Sequence, residues 1–161
     1  MATSTLRASN SSRFKFKTAV WIFLGLTIPH TLAGIFALLI GPINFSSRLR
    51  QRHLKLHRIL GRVYVVSVFI GAATGVALAS GRPGFPGTCG QAAAWIVCTT
   101  AAFITARNRH IVQHRQWMIR SYAVTFTFVS SRVLNLWPRY WSHLGDALSA
   151  VGVIAFTLVS L

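Results

Sequence analysis

Four histidines in this chain stand in two matching sets. Arg50-Gln51-Arg52-His53-Leu54-Lys55-Leu56-His57-Arg58 and Arg107-Asn108-Arg109-His110-Ile111-Val112-Gln113-His114-Arg115 share the pattern R-x-R-H-x-x-x-H-R at an offset of 57 residues. Five identities at one register mark an internal duplication. Each set places two imidazoles four residues apart, on one face of a helical turn. Imidazole is a borderline ligand that suits haem iron, zinc, copper or non-haem iron, so His53, His57, His110 and His114 are candidate metal ligands. His57 and His114 sit at the mouths of apolar runs. A pseudo-twofold axis that turned them toward each other would make them axial ligands of one haem b. Arg58, Arg62, Arg115 and Arg120 would then be placed to meet its propionates. The competing reading is plainer: histidines and arginines at a membrane boundary solvate helix ends and meet anionic lipid headgroups. No carboxylate or cysteine lies near them to complete a catalytic zinc site of three protein ligands and a water.

The elements that must position these residues are legible from composition. The chain has 161 residues, is 53% hydrophobic and carries a formal charge of +16, with Asp146 as its one acidic residue. A soluble surface interleaves both signs of charge. Here the cations fall between long uncharged stretches, as they do where Lys and Arg flank membrane spans. The same distribution excludes the nucleic-acid-binding module that a high positive charge otherwise suggests. Cys89 and Cys98 lie nine residues apart on one expected helix, about 13.5 Å along its axis, too far for an intrahelical disulfide.

Apolar runs over 18–40, 59–80, 88–106, 117–137 and 144–161 are each long enough, or nearly so, to cross a hydrocarbon core of about 30 Å as a helix. Continuous runs without alternating polarity indicate helices rather than a barrel. The expected fold is therefore an all-α, polytopic transmembrane bundle. Residues 1–17 form a mobile basic tail. Two duplicated helical hairpins cover 18–80 and 88–137, and an appended fifth helix covers 144–161. The first run follows basic residues as a signal peptide would, but it is longer than an apolar signal core and no small-x-small cleavage site follows, so it reads as a retained span. Gly41-Pro42 is expected to close the first span, residues 81–87 to form a tight turn, and Pro138 to end the fourth span. An even number of spans per repeat puts both motifs on one membrane face. The excess of cations in loops 41–58 and 107–116 places that face in the cytoplasm of an inner (cell) membrane protein.

Other polar groups fall within the spans. His30 lies mid-span, roughly 15 Å deeper than Ile40, too deep to share an iron with His57. A buried ionisable group at that depth is a functional candidate, and a neutral imidazole hydrogen-bonded to a neighbouring helix is the simpler account. Arg132 and Asp146 are expected to form a structural ion pair, since each alone would be costly in the bilayer. Gly71-Ala72-Ala73-Thr74-Gly75 has the small-residue spacing that lets helix backbones approach closely. Tyr64 and Tyr122 follow the two motifs at similar distances, and Trp117, Trp137 and Trp141 mark the membrane boundaries.

Residues 57–64 and 114–122, together with Gly41-Pro42-Ile43-Asn44-Phe45 and Arg132, resemble a family of bacterial predicted membrane proteins known as domain of unknown function twenty-three-oh-six. The resemblance runs from about His30 to Trp137 and implies a small multi-span helical bundle without an assigned activity. A looser likeness to bis-histidine haem b membrane cytochromes rests on histidines at helix ends. The leading expectation is a haem b electron-transfer protein working between a quinone and a partner protein. Its rival is a non-catalytic membrane subunit that packs against a larger complex and anionic lipid. A transporter using His30 and Arg132 is a third possibility, weakened by the scarcity of carboxylates.

Overall fold

The computed structural model describes residues 2–82 and 84–135, with side chains over 17–18, 20–82 and 84–128. Helices take up nearly all of the described backbone: α1 (Ala2–Phe45), α2 (Ser47–Arg52), α3 (Leu54–Ala79), α4 (Phe85–Arg107) and α5 (Ile111–Asn135). The appended helix over 144–161, Pro138 and the Arg132–Asp146 pairing lie outside the described residues. Three helices, over Val20–Phe45, Leu54–Ala79 and Phe85–Arg107, are long and apolar enough to cross a membrane. The fourth apolar run corresponds to α5, which is not among those three. Its apolar character is diluted by His114, Arg115 and Arg120. It nevertheless runs antiparallel along α4, with His114 against Ala102 and Thr125 against Trp95.

The helices form a ring. α1 packs along α3, α3 against α4, α4 along α5, and α1 closes back onto α5. α3 and α5 therefore stand diagonally opposite, as do α1 and α4. This cyclic order is the one expected if the 57-residue offset relates α1 to α4 and α3 to α5.

The helix boundaries differ from those expected in three places. α1 begins at Ala2, so the backbone of the expected tail is helical. Gly41-Pro42 does not close the first span: α1 continues through Pro42 to Phe45, and Ser46 then caps α2 by accepting from the Leu49 amide. The reason is local. Proline at 42 has no N–H, so the carbonyl of Leu38 loses its helical donor, and the Tyr122 hydroxyl of α5 donates to it at 3.3 Å. A neighbouring helix supplies what proline removes, and the helix survives. Third, the turn before α4 is shorter than expected. α4 starts at Phe85 with Pro86 in its first turn, where the missing N–H would have no helical partner anyway. Gly81 sits at φ 75°, a conformation that glycine adopts without steric cost.

Small residues set the helix spacing. A side chain at Gly71 would meet the Trp95 ring at 3.2 Å and the Ala33 Cβ at 3.7 Å, and one at Gly75 would meet His30 at 3.1 Å. The G-x-x-x-G stripe therefore admits α1 and α4 to α3, as its spacing suggests. Its other consequence is His30, whose Nδ1–H donates to the Gly71 carbonyl at 3.1 Å, with Thr74 Oγ1 at 3.2 Å. The imidazole pins α1 to α3, as the simpler account of a mid-span histidine expects.

The outside of the bundle is apolar: Trp21 is 73% exposed, with Ile22, Val97 and Phe126 also exposed. Hydrocarbon on both sides of a helix removes the usual hydrophobic drive for packing, so close contact and interhelical hydrogen bonds must hold the helices together. Gly41 is the sharpest test of close contact. A Cβ there would collide with the Tyr122 ring, whereas one at Gly34 meets nothing within 4 Å. Gly41→Ala should therefore destabilise the bundle by about 1–3 kcal/mol. Gly34→Ala should be neutral or stabilising by up to about 1 kcal/mol, because alanine is the better helix former. Denaturant titration of the detergent-solubilised variants reads both signs.

Candidate functional site at the motif face

The two motifs open α3 and α5 in the same way. His53 is the N-cap of α3, and its carbonyl accepts from the His57 amide at 3.0 Å. His110 stands at the matching place before α5, accepting from the His114 amide at 2.9 Å. The outer histidines, His53 and His110, are exposed, while the inner ones, His57 and His114, are half-buried. The inner pair thus turns toward the bundle from two diagonal helices at one depth.

Their hydrogen bonding is unequal. His114 Nδ1–H donates to the Ala102 carbonyl of α4 at 2.8 Å, which fixes the ring and leaves Nε2 as the nitrogen with an available lone pair. His57 Nδ1 is buried without a hydrogen-bond partner among the described residues. The chain breaks the symmetry here: the position equivalent to Ala102 by the 57-residue offset is Phe45, where α1 ends. Asn44, beside it, is only 5% exposed, and its Oδ1 is likewise buried without a partner among the described residues. Its amide lies near Gly61, one turn beyond His57 on α3.

The arginines expected at a haem edge separate into two kinds. Arg58, Arg62 and Arg115 are exposed. Arg120 is half-buried, with its guanidinium 4.6 Å above the Trp117 ring, a cation–π contact that a planar guanidinium favours. Among the described residues, no group of three or more His, Cys, Asp or Glu side chains could hold a metal ion. His57 and His114 are the two half-buried imidazoles of this face. That arrangement does not provide a three-ligand catalytic zinc site.

Two turns deeper lies a feature that sequence reasoning misses. Tyr64 of α3 is fully buried, and its hydroxyl bonds Ser121 Oγ at 2.9 Å and Thr125 Oγ1 at 3.1 Å on α5. Ser121 Oγ also bonds Thr99 Oγ1 of α4 at 2.7 Å, and Trp95 Nε1–H donates to Thr125 Oγ1 at 2.9 Å. Three helices are tied by one network of buried side chains. Tyr64 and Ser121 are 57 residues apart, so they are the same position in the two repeats. That register is the signal by which the pair could be found. The tyrosine that looks equivalent by eye, Tyr122, lies one residue further on, where it packs against Gly41 and meets Phe45 edge-on at 5.6 Å.

The bond from His114 to Ala102 yields a direct expectation. His114→Ala should lower stability by about 0.5–1.5 kcal/mol, the usual net worth of one hydrogen bond, while His110→Ala should stay within about 0.5 kcal/mol of the parent. Thermal unfolding of the two variants in detergent compares them.

No curated protein and no solved structure matches the chain. The model of the predicted membrane protein family DUF2306 matches residues 27–160, which include both motifs and all of the hydroxyl network, and the chain belongs to that family of membrane proteins.

Proposed function

We propose that this membrane bundle binds one haem b between His57 and His114 and serves in electron transfer. The observation that carries the reading is the placement of the inner histidines. They occupy equivalent positions on diagonal helices, turn inward where His53 and His110 do not, and one has its second nitrogen committed to a backbone carbonyl. A histidine that ligates a metal characteristically donates its other N–H to such an acceptor, which fixes the tautomer and raises the basicity of the ligating nitrogen. When bound, haem iron would supply one-electron redox chemistry between a quinone and a partner protein. The chain's own part is to hold the axes and close the site. Ala102 orients His114, and the buried Met118 with the Tyr64–Ser121 pair closes the bundle below the histidines. The exposed Arg58, Arg62 and Arg115 are the cations available to the propionates.

A specific observation favours a second reading. His57 Nδ1 has no acceptor among the described residues to orient it as an axial ligand, which fits a non-catalytic membrane subunit packing against a larger complex. The absorption spectrum of the protein purified in detergent from haem-replete cells separates the two. The haem reading expects a Soret band that shifts on dithionite reduction. His57→Ala or His114→Ala should abolish it, whereas His53→Ala and His110→Ala should only weaken retention. Colourless protein, or four substitutions of equal and mild effect, would overturn it.

A further inference from the structure

We infer that the motif face is a docking surface for an anionic membrane lipid carrying two phosphates, one phosphate met by each repeat. This does not depend on the haem reading. The surface has two lobes of exposed cations, Arg52, Lys55 and Arg58 on the first and Arg107, Arg109 and Arg115 on the second. The sequence has one acidic residue, Asp146, and it lies beyond the described residues, so no described side chain offers a carboxylate to either lobe. One carboxylate could not balance six cations in any case. Counter-charge must come from outside the protein.

Depth identifies its source. The cations alternate with exposed apolar side chains: Leu54 and Leu56 are 45% exposed beside the first lobe, and Val112 is 74% exposed beside the second. Leu54 and Leu56 open one candidate span, Leu54–Ala79, and Val112 follows the end of another, Phe85–Arg107, where acyl chains give way to headgroups. A soluble anion would satisfy the guanidinium groups and leave these aliphatic side chains in water. A phospholipid satisfies both, with its phosphate on the arginines and its glycerol and upper acyl carbons on Leu54, Leu56, Ile111 and Val112.

Arg109 points the same way from the backbone. It has φ 61°, in the left-handed region where a side chain is disfavoured and glycine or asparagine is usual. The turn after α4 closes there, through bonds from Asn108 N–H to the Ile104 carbonyl and from His110 N–H to the Thr105 carbonyl. Glycine would make that turn without strain. An arginine held against its backbone preference indicates that its side chain has a use, and at this position the use is charge. The number of phosphates follows from the duplication. Each copy of the repeated motif supplies one lobe, so a headgroup with two linked phosphates matches them in number.

The test is lipid retention by native mass spectrometry. The full chain is reconstituted in phosphatidylcholine bilayers doped, at equal total phosphate, with either diphosphatidylglycerol or phosphatidylglycerol. The inference expects one diphosphatidylglycerol retained more tightly than phosphatidylglycerol. Arg109→Gly should weaken that retention about fivefold, the factor equivalent to roughly 1 kcal/mol for one cation near an anionic surface, while thermal stability is unchanged or higher because the turn is relieved. Arg109→Lys should keep most of the binding. Arg52→Gln, at a position without backbone strain, should weaken retention to a similar degree and serves if the glycine variant does not fold. Equal retention of the two lipids would overturn the two-phosphate assignment. Arg109→Gly and Arg52→Gln both binding as the parent does would overturn the surface itself. Displacement of the lipid by an equal phosphate concentration of inorganic phosphate would make the site one for a free anion and overturn the lipid.

Discussion

The bundle depends on a small set of buried hydroxyl groups. Tyr64 reaches from α3 across to α5, where Ser121 and Thr125 receive it, and Thr99 and Trp95 of α4 complete the set. Inside a membrane, such groups have no water to fall back on, and an unmet hydroxyl carries a desolvation penalty. Each pairing therefore holds its helices in one register. Because Tyr64 and Ser121 are 57 residues apart, the offset of the two motifs, the same contact ties corresponding positions of α3 and α5. The placement of His57 and His114 follows, since each stands seven residues, two turns, before its member of that pair.

Around this centre the chain solves a second problem, the interruption of helices by proline. Pro42 deprives the Leu38 carbonyl of its donor, and Tyr122 supplies one from α5. The ring of Tyr122 then needs the space that a side chain at Gly41 would take. Glycine, proline and a tyrosine of a distant helix thus form one device that continues α1 and closes the ring of helices. His30 acts similarly at the other end, donating to the Gly71 carbonyl across a gap that Gly75 keeps narrow. In both cases, a polar side chain in the membrane is tied to backbone by small residues that permit the approach.

Much of this is legible in the amino-acid sequence. The continuous apolar runs predict an all-helical membrane bundle, and the G-x-x-x-G stripe predicts close packing at α3. The exposure of His53 and His110 and the partial burial of His57 and His114 follow from depth along the helix rather than from the i, i+4 spacing, which puts each pair on one face. The hydroxyl network is not legible, for a physical reason. Serine and threonine in membrane helices commonly bond their own helix, as Thr27, Thr31, Thr105 and Thr127 do here, so composition alone does not show which ones reach a neighbour. The extent of α1 escapes the sequence because Gly41-Pro42 is a stop signal only when no other helix meets the freed carbonyl. The inequality of His57 and His114 is hidden because it arises from packing: His114 meets the Ala102 carbonyl of α4, whereas His57 Nδ1 meets no partner among the described residues.

The Tyr64–Ser121 contact is where the two repeats meet, and a double-mutant cycle with Tyr64→Phe and Ser121→Ala, unfolded by denaturant from detergent micelles, measures it. Equivalent positions bonded between α3 and α5 should show a coupling of about 0.6–1.7 kcal/mol, the range of interhelical hydrogen bonds in membrane proteins. Two substitutions that add to within about 0.3 kcal/mol would mean that the residues are independent, and that some other contact relates the two repeats.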